Sequence, residues 1–154
     1  MSISAHHASA CSSRHNPQFD TAALAASLPA RGVAYASDLH TRLGGLRKPL
    51  AAAGDANAGW RNASFRGYAD YARTEEFGDA LDELLRRAQS SNTAIMCAEA
   101  VPWRCHRSII ADVASARGAS VRHIMISAKG VATEHEHKSA HMFEDASCIM
   151  LLLC

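Results

Sequence analysis

The fold is decided by residues 93–126, which read TAIMC-AEAVPWRCH-RSIIADVASAR-GA-SVRHIMI. The first five residues are short and mostly apolar, as in a strand buried within a sheet. Residues 107–117 carry isoleucine and valine at helical spacing and end at a glycine, and residues 120–126 read as a second strand. A strand, a helix and a strand within about 35 residues form a βαβ unit with parallel strands. The sequence therefore predicts an α/β fold.

Upstream residues add helices and one strand to this unit. Asp20 is a suitable N-cap for a helix that Gly32 ends, and residues 33–39 follow as a short strand. Thr74 caps the clearest helix, which carries one apolar stripe from Phe77 onward. These elements predict a small, mainly parallel sheet with flanking helices, an incomplete three-layer arrangement of the Rossmann type.

Composition limits the core and the class of protein. Alanine supplies 31 of the 154 residues, whereas Val, Leu, Ile and Phe together supply 28, so the predicted core is thin. The formal net charge of +1 is far from the charge excess of disordered chains. No apolar run approaches the ~20 residues of a membrane helix, no secretory signal is visible, and five scattered cysteines make no disulfide framework. The sequence predicts a cytoplasmic protein that does not enter a membrane.

Three regions are predicted along the chain. Residues 1–13 are small and polar and read as a disordered lead-in. Residues 14–126 form a single α/β domain, and residues 127–154 are a divergent, His-rich tail. Within the domain, residues 40–73 form a long, glycine-punctuated, irregular stretch that is basic and aromatic.

The candidate site is the junction between the first strand of the βαβ unit and its helix, where open α/β sheets bind ligands. A helix N-terminus and neighbouring basic residues lower the pKa of a cysteine, so Cys105 is the predicted thiolate. His106 and Glu99 are candidate proton-transfer groups. Arg104 and Arg107 are candidates to hold a phosphate or carboxylate. The alternative is that these side chains only cap and solvate the helix.

Metal binding is not favoured by the pattern. Cys97, Cys105 and His106 give three potential zinc ligands, but two of them are adjacent in sequence and rarely bind one ion together. Cys97 ends an apolar strand and reads as a core residue. No zinc and no other cofactor is required by the sequence.

Residues 60–71 form a second candidate patch, in which aromatic residues alternate with arginines. Asn62, Arg66 and Tyr68 are predicted to contact a substrate. The same composition suits stacking on bases and contact with phosphates, so a nucleic-acid-binding module built on residues 40–73 is an alternative function. Another alternative is a lid over the Cys105 site whose aromatic side chains complete the core.

Four motifs in order resemble the uncharacterised bacterial family called domain of unknown function 488. They are RHNPQF at 14–19, LGGLRKP at 43–49, FRGYADY at 65–71, and MCAE followed by CHR at 96–107. The resemblance covers roughly residues 14–126. It implies a compact α/β domain with a site at these motifs, and it leaves the chemistry open.

The resemblance also implies a missing part. Family members usually begin with a strand, a helix and a second strand, whereas only 13 unlike residues precede the first motif here. The chain is therefore predicted to be N-terminally truncated, with an incomplete sheet that an oligomer or a partner would cover. The leading hypothesis is an enzyme, or the relic of one, acting on a small anionic or nucleotide-like substrate. An inactive fragment is a further alternative.

Overall fold

One sheet organises the chain in the computed structural model, which describes residues 3–7, 17–54, 56–97, 99, 101–138 and 148–153. For residues 3–7, 103 and 148–153 only the backbone is described. Within these residues the strands are β1 (Ile3–His7), β2 (Val33–Ala36), β3 (Asn92–Cys97), β4 (Ser120–Ile126), β5 (Ala132–Glu136) and β6 (Cys148–Leu153). The helices there are α1 (Thr21–Ser27), α2 (His40–Leu43), α3 (Ala63–Tyr71), α4 (Glu75–Ser90) and α5 (Arg107–Ala116).

The strands follow the order β2-β1-β3-β6-β4-β5 across the sheet. β1 lies between β2 and β3 and runs parallel to both, with Ala5 opposite Tyr35 and Ala94. β6 lies between β3 and β4 and runs parallel to both. β5 pairs antiparallel with β4 at the edge. The predicted α/β class is confirmed, and β6 separates the two strands of the predicted βαβ unit.

Both ends of the chain contribute strands, which differs from the sequence prediction. Residues 1–13 are predicted to be disordered, but Ile3–His7 form β1 inside the sheet. The predicted tail, residues 127–154, supplies β5 and β6. The sheet therefore extends beyond the predicted domain of residues 14–126. A strand that lies between two neighbouring strands satisfies its backbone N–H and C=O groups by pairing with them, whatever its side chains are. For this reason, composition alone did not predict the strands at the two ends of the chain.

Apolar clusters cover both faces of the sheet. The apolar stripes of α4 and α5 pack on one face around Ile95 of β3. Leu24 of α1 packs against Met96 on the other face. Because side chains alternate along a strand, Cys97 points to the same face as Ile95, toward α4 and α5. Among the described residues, no helix combines the length and the apolar character needed to cross a bilayer.

Element boundaries follow the predicted signals in part. The Oγ1 of Thr74 accepts a hydrogen bond from the backbone N–H of Phe77, which confirms the predicted cap of α4. α1 ends at Ser27, before the predicted stop, and Gly32 with a φ of 75° ends the short 3-10 helix Pro29–Arg31 that follows it. The strand predicted over residues 33–39 is shorter, because the chain turns toward α2 after Ala36.

The predicted irregular stretch, residues 40–73, contains α2 and α3. α3 lies directly against the segment that precedes it. A Cβ atom added to Gly67 would come within 2.2 Å of the carbonyl oxygen of Arg47, so only glycine allows this approach. The contact packs α3 against residues 47–48.

Two tyrosines of α3 attach the helix to α2. The hydroxyl of Tyr68 donates to the carbonyl of Leu43 at 2.5 Å, and the hydroxyl of Tyr71 donates to the carbonyl of Arg42 at 2.7 Å. Both rings are buried and meet Phe77 edge to face. Tyr68 and Tyr71 therefore belong to the core, as one of the sequence alternatives predicts for the aromatic residues of this stretch.

Candidate active site

Two cysteines lie together at the carboxyl end of β3. Cys97 is the last residue of the strand, and Cys105 lies in the turn that leads to α5. The side chains are 4% and 2% exposed, respectively. The sulfur atoms of Cys97 and Cys105 lie within 4.8 Å of each other. The sequence interpretation of Cys97 as a core residue therefore missed its contact with the predicted site.

Arg107 is fully buried against this pair. Its Nε–H donates to the Cys105 sulfur at 3.2 Å, and its backbone N–H donates to the same sulfur at 3.4 Å. A terminal nitrogen of the guanidinium donates to the carbonyl of Glu99 at 2.5 Å. A buried cation of this kind is stabilised by acceptors around it. Arg107 therefore holds the thiols and the turn, which corrects the prediction that it faces an anionic ligand.

The two thiols differ in acidity. The hydrogen bond from Cys105 lowers the pKa of the Cys97 thiol to about 6, opposed by burial and assisted by the backbone N–H of Glu99 and the charge of Arg107. The pKa of the Cys105 thiol is raised, because its proton is held in the bond to Cys97 and because it is buried. The two thiols titrate as a pair, and the lowered pKa of Cys97 favours the thiolate form of that residue. The sequence predicted the thiolate at Cys105, whose sulfur accepts the two hydrogen bonds from Arg107.

His106 lies beside the thiols at the start of α5. Its Nδ1 is 3.9 Å from the Cys105 sulfur, close enough to take up a proton after a small movement. The imidazole packs on the ring of Tyr68, with ring centroids 4.7 Å apart. Burial raises the pKa of Tyr68, so this phenol stays neutral and serves as a wall of the site.

A cleft of about 310 Å³ opens onto the thiols. Glu99 and Arg104 are exposed at its rim, whereas both sulfurs are buried at its base. Its lining comes from residues 40–73 and from the strand–helix turn: Gly45, Leu46, Ser64, Phe65, Tyr68, Cys97, Glu99, Arg104, Cys105 and His106. Five of the predicted site residues thus lie around one cleft: Glu99, Arg104, Cys105, His106 and Tyr68.

A second cleft, of about 500 Å³, shares Phe65, Glu99 and Arg104 with the first. Its other lining residues are Trp60, Arg61 and Asn62. The Trp60 ring stacks on Phe65 at 5.5 Å, and 40% of Trp60 remains exposed. The two clefts together offer a charged rim, a flat aromatic surface and a thiol base.

Two other predicted residues have different positions. The Oδ1 of Asn62 accepts the backbone N–H of Ser64 at 2.8 Å and caps α3, while the residue also lines the second cleft. The guanidinium of Arg66 donates to the carbonyl of Gly54 at 3.1 Å, and Arg66 is not among the residues lining either cleft.

One group of potential metal ligands is present in the described part of the chain. The sulfurs of Cys97 and Cys105 and a ring nitrogen of His106 all lie within 4.8 Å of one another. Two thiolates and an imidazole suit a soft ion such as Zn²⁺, with a fourth position open to the cleft. Spacing in the sequence argued against zinc because two of these residues are adjacent, but the fold brings all three ligand atoms together.

The relation of this chain to other proteins follows from its sequence. A family model described as domain of unknown function DUF488 matches residues 9–114. The chain belongs to the DUF488 family. The resemblance that the four motifs carry is thereby confirmed. Comparison with curated proteins and with solved structures finds no significant match in either.

The DUF488 match includes both cysteines, the cleft residues and Arg107. It ends inside α5, so β4, β5 and β6 lie beyond it. The description of DUF488 names no reaction. The chemistry of the site has to be inferred from the residues themselves.

Proposed function

We propose that this protein is an enzyme that uses its cysteine pair on a small anionic, nucleotide-like substrate bound in the cleft. One observation carries the proposal. Two cysteines whose sulfurs lie within 4.8 Å of each other line the base of a cleft, with a buried arginine bonded to one of them and with Arg104 and Glu99 at the rim. Buried ionisable groups held in this way are typical of catalytic sites.

Each residue of the site has its own role in the proposed reaction. The Cys97 thiolate is the nucleophile, because thiolates react and thiols do not. His106 accepts or returns a proton next to the sulfurs. Arg104 holds an anionic group of the substrate, and Glu99 orients the substrate at the same rim. Arg107 is a positioning residue, since it contacts the thiol and the turn from the buried side.

The second cleft supports a nucleotide-like substrate. Trp60 presents a partly exposed ring already stacked on Phe65. Arg61 and Arg104 line the same cleft. A flat aromatic surface next to two guanidinium groups suits a planar ring joined to a phosphate.

The place of the site in the sheet also supports the proposal. Cys97 ends β3, and β1, β3, β4 and β6 run in the same direction. Ligands of open, doubly wound α/β sheets bind outside the carboxyl ends of parallel strands. The dipole of α5 favours an anion near its N-terminus.

Alkylation tests the nucleophile. The chain is treated with iodoacetamide at about pH 6.5 and digested with trypsin, which separates Cys97 (residues 88–104) from Cys105 (residues 105–107). We expect Cys97 to react about tenfold faster than in the same chain unfolded in urea, since most of it is thiolate. Equal rates in the folded and unfolded chains would overturn the proposal.

Protection tests the substrate class. A nucleoside monophosphate at millimolar concentration should slow the alkylation of Cys97 severalfold, and the nucleoside alone should not. Arg104→Gln should remove this protection. The substitution also removes the tryptic site after residue 104, so fragment sequencing of the peptide 88–107 distinguishes Cys97 from Cys105 in this variant. Arg86→Gln on α4 is the matched control, because Arg86 is an exposed arginine paired with Glu83 on a different element. Equal protection by the nucleoside and its phosphate would refute an anionic substrate.

The nucleic-acid alternative has less support. It depends on aromatic side chains that can stack on bases. Tyr68 and Tyr71 are 2% and 7% exposed and make hydrogen bonds inside the protein, which leaves Trp60 as the partly exposed ring. A salt-sensitive affinity for single-stranded DNA that Trp60→Ala abolishes would favour this alternative.

A further inference from the structure

The second cysteine of the pair has no function in a simple nucleophilic mechanism. One thiolate is enough to attack an electrophile, and a general base such as His106 is enough to activate it. Here the sulfur of a second cysteine lies within 4.8 Å of the first, and both cysteines line the same cleft. A thiol in contact with a nucleophilic sulfur is what a resolving cysteine requires.

We propose that the Cys97–Cys105 pair exchanges with a small anionic disulfide and closes to an intramolecular disulfide. This inference rests on the proposed function, because it uses the same nucleophile, and it names the electrophile as a sulfur atom. Transient disulfides of this kind occur in reducing compartments when they are catalytic or redox-sensing.

Both steps balance with the groups in the site. The Cys97 thiolate attacks one sulfur of R–S–S–R, so a Cys97–S–S–R bond forms and one R–S⁻ leaves. Cys105 then gives its proton to His106, 3.9 Å away, and attacks the Cys97 sulfur. The Cys97–Cys105 bond forms and the second R–S⁻ leaves. The disulfide reagent gains the two electrons that the cysteine pair loses, and the proton passes from His106 to solvent.

The surroundings fit this sequence of steps. The hydrogen bonds from Arg107 to the Cys105 sulfur stabilise negative charge on Cys105 once its proton has left. Arg104 at the rim suits a substituent that carries a carboxylate. The Cys97 sulfur comes from the end of a strand, and the Cys105 sulfur comes from the turn before a helix. These elements fix the positions of the two sulfurs relative to each other.

The experiment uses 5,5′-dithiobis(2-nitrobenzoate), an anionic aromatic disulfide whose released thiolate is coloured. We expect Cys97 and Cys105 to release two thiolates and to retain no adduct. Tryptic digestion without reduction should then give residues 88–104 linked to residues 105–107, which identifies the bond apart from the other three cysteines. Cys105→Ser should release one thiolate at this site and retain the mixed disulfide on Cys97.

The outcomes separate this inference from the proposed function. A wild-type chain that keeps the mixed disulfide on Cys97 without forming the linked peptides would overturn the exchange, while rapid alkylation of Cys97 would still support the nucleophile. A chain whose Cys97 reacts with neither reagent faster than when unfolded would overturn both. If Cys105→Ser fails to fold, the tryptic peptide map of the wild-type chain still tests whether the Cys97–Cys105 disulfide forms.

Discussion

The Nε–H of Arg107 donates a hydrogen bond to the Sγ of Cys105 over 3.2 Å, from a position that water does not reach. The same guanidinium donates to the carbonyl of Glu99. One buried side chain therefore connects the exit of β3, the thiol pair and the start of α5. The geometry of the turn therefore depends on Arg107, and the charge of this residue adds to the acidity of Cys97.

Arg107→Met should impair both properties. Removing charge-assisted hydrogen bonds to the buried Cys105 sulfur and to the partly buried Glu99 carbonyl should lower the free energy of unfolding by about 2–4 kcal/mol. The alkylation rate of Cys97 should fall severalfold at neutral pH, because the positive charge that favours the thiolate is lost. Urea denaturation and alkylation kinetics measure the two effects.

Arg86→Met is the control for this substitution. Arg86 is 66% exposed and pairs with Glu83 within one helix, so its loss should change stability by less than about 0.5 kcal/mol. Equal effects of the two substitutions on the free energy of unfolding would show that the buried hydrogen bonds of Arg107 stabilise the fold no more than an exposed ion pair does.

The rate of alkylation should depend on pH in a manner set by Cys97. Its pKa of about 6 lies below the ordinary value, so the rate should rise with pH, reach half its maximum near pH 6 and level off above pH 7. An ordinary thiol would still be gaining reactivity at pH 8 to 9. In Cys105→Ala, which removes the hydrogen bond to Cys97, the midpoint should move to higher pH. An identical midpoint in both proteins would contradict the assigned pair.

Gly67→Ala should be severely destabilising. The new Cβ would lie 2.2 Å from the carbonyl oxygen of Arg47 and 2.6 Å from the carbonyl carbon of Lys48, so backbone has to move. We expect a loss of about 3 kcal/mol or more, measured by thermal or urea unfolding.

Gly78→Ala is the matched control within α4. Its added Cβ would meet only the flexible end of Arg117 at 3.5 Å, so helix propensity should stabilise the chain by about 0.5–1 kcal/mol. The reference for both variants is a cooperative unfolding transition of the wild-type chain. A wild-type chain without such a transition would favour the inactive-fragment hypothesis instead.

Tyr68→Phe should separate stability from reactivity. The substitution leaves the Leu43 carbonyl without its donor and should cost about 1–2 kcal/mol. The ring that packs on His106 remains, so the alkylation rate of Cys97 should stay within about twofold of wild type. Tyr68→Ala, which removes the ring, should alter that rate. If Tyr68→Phe reduced the alkylation rate of Cys97 as much as Tyr68→Ala does, the proposal that the Tyr68 ring only forms a wall of the site would be contradicted.

His123 should make the stability of the fold depend on pH. Its Nε2 lies 3.0 Å from the Nδ1 of His137, whose Nε2 lies 3.0 Å from an Asp112 oxygen. Burial, with the nearby His137, lowers the pKa of His123 to about 4. The unfolded chain therefore binds more protons between pH 4 and 6.5, so this contribution is complete above pH 6.5 and is lost as pH falls toward 4.

His123→Gln removes the titrating group and provides the comparison. The wild-type chain should lose about 1–2 kcal/mol more than the variant between pH 7 and 4.5, since partial access of water screens the charge. The difference between the two urea-denaturation series isolates His123 from the titration of Cys97. Parallel series would mean that His123 keeps an ordinary pKa.

Much of the site was predictable from local chemistry. Cys105 and His106 stand before a helix with clear periodicity, and Glu99 and Arg104 lie in the same connection, so their proximity follows from chain continuity. Cys97 was missed as a partner because a cysteine at the end of an apolar strand resembles any small core residue. The one signal was its place at a strand's carboxyl end, eight residues before Cys105.

The sequence alone determined the α/β class, the cap of α4 at Thr74 and the junction that holds the candidate site, because spacing and capping chemistry act over a few residues. Only the tertiary structure decided that residues 3–7 and 148–153 complete the sheet, that Tyr68 faces His106, and that Arg107 is buried under the thiols. Those outcomes depend on pairing and packing between segments far apart in the chain. The local composition of a segment does not indicate which distant segment will pack against it.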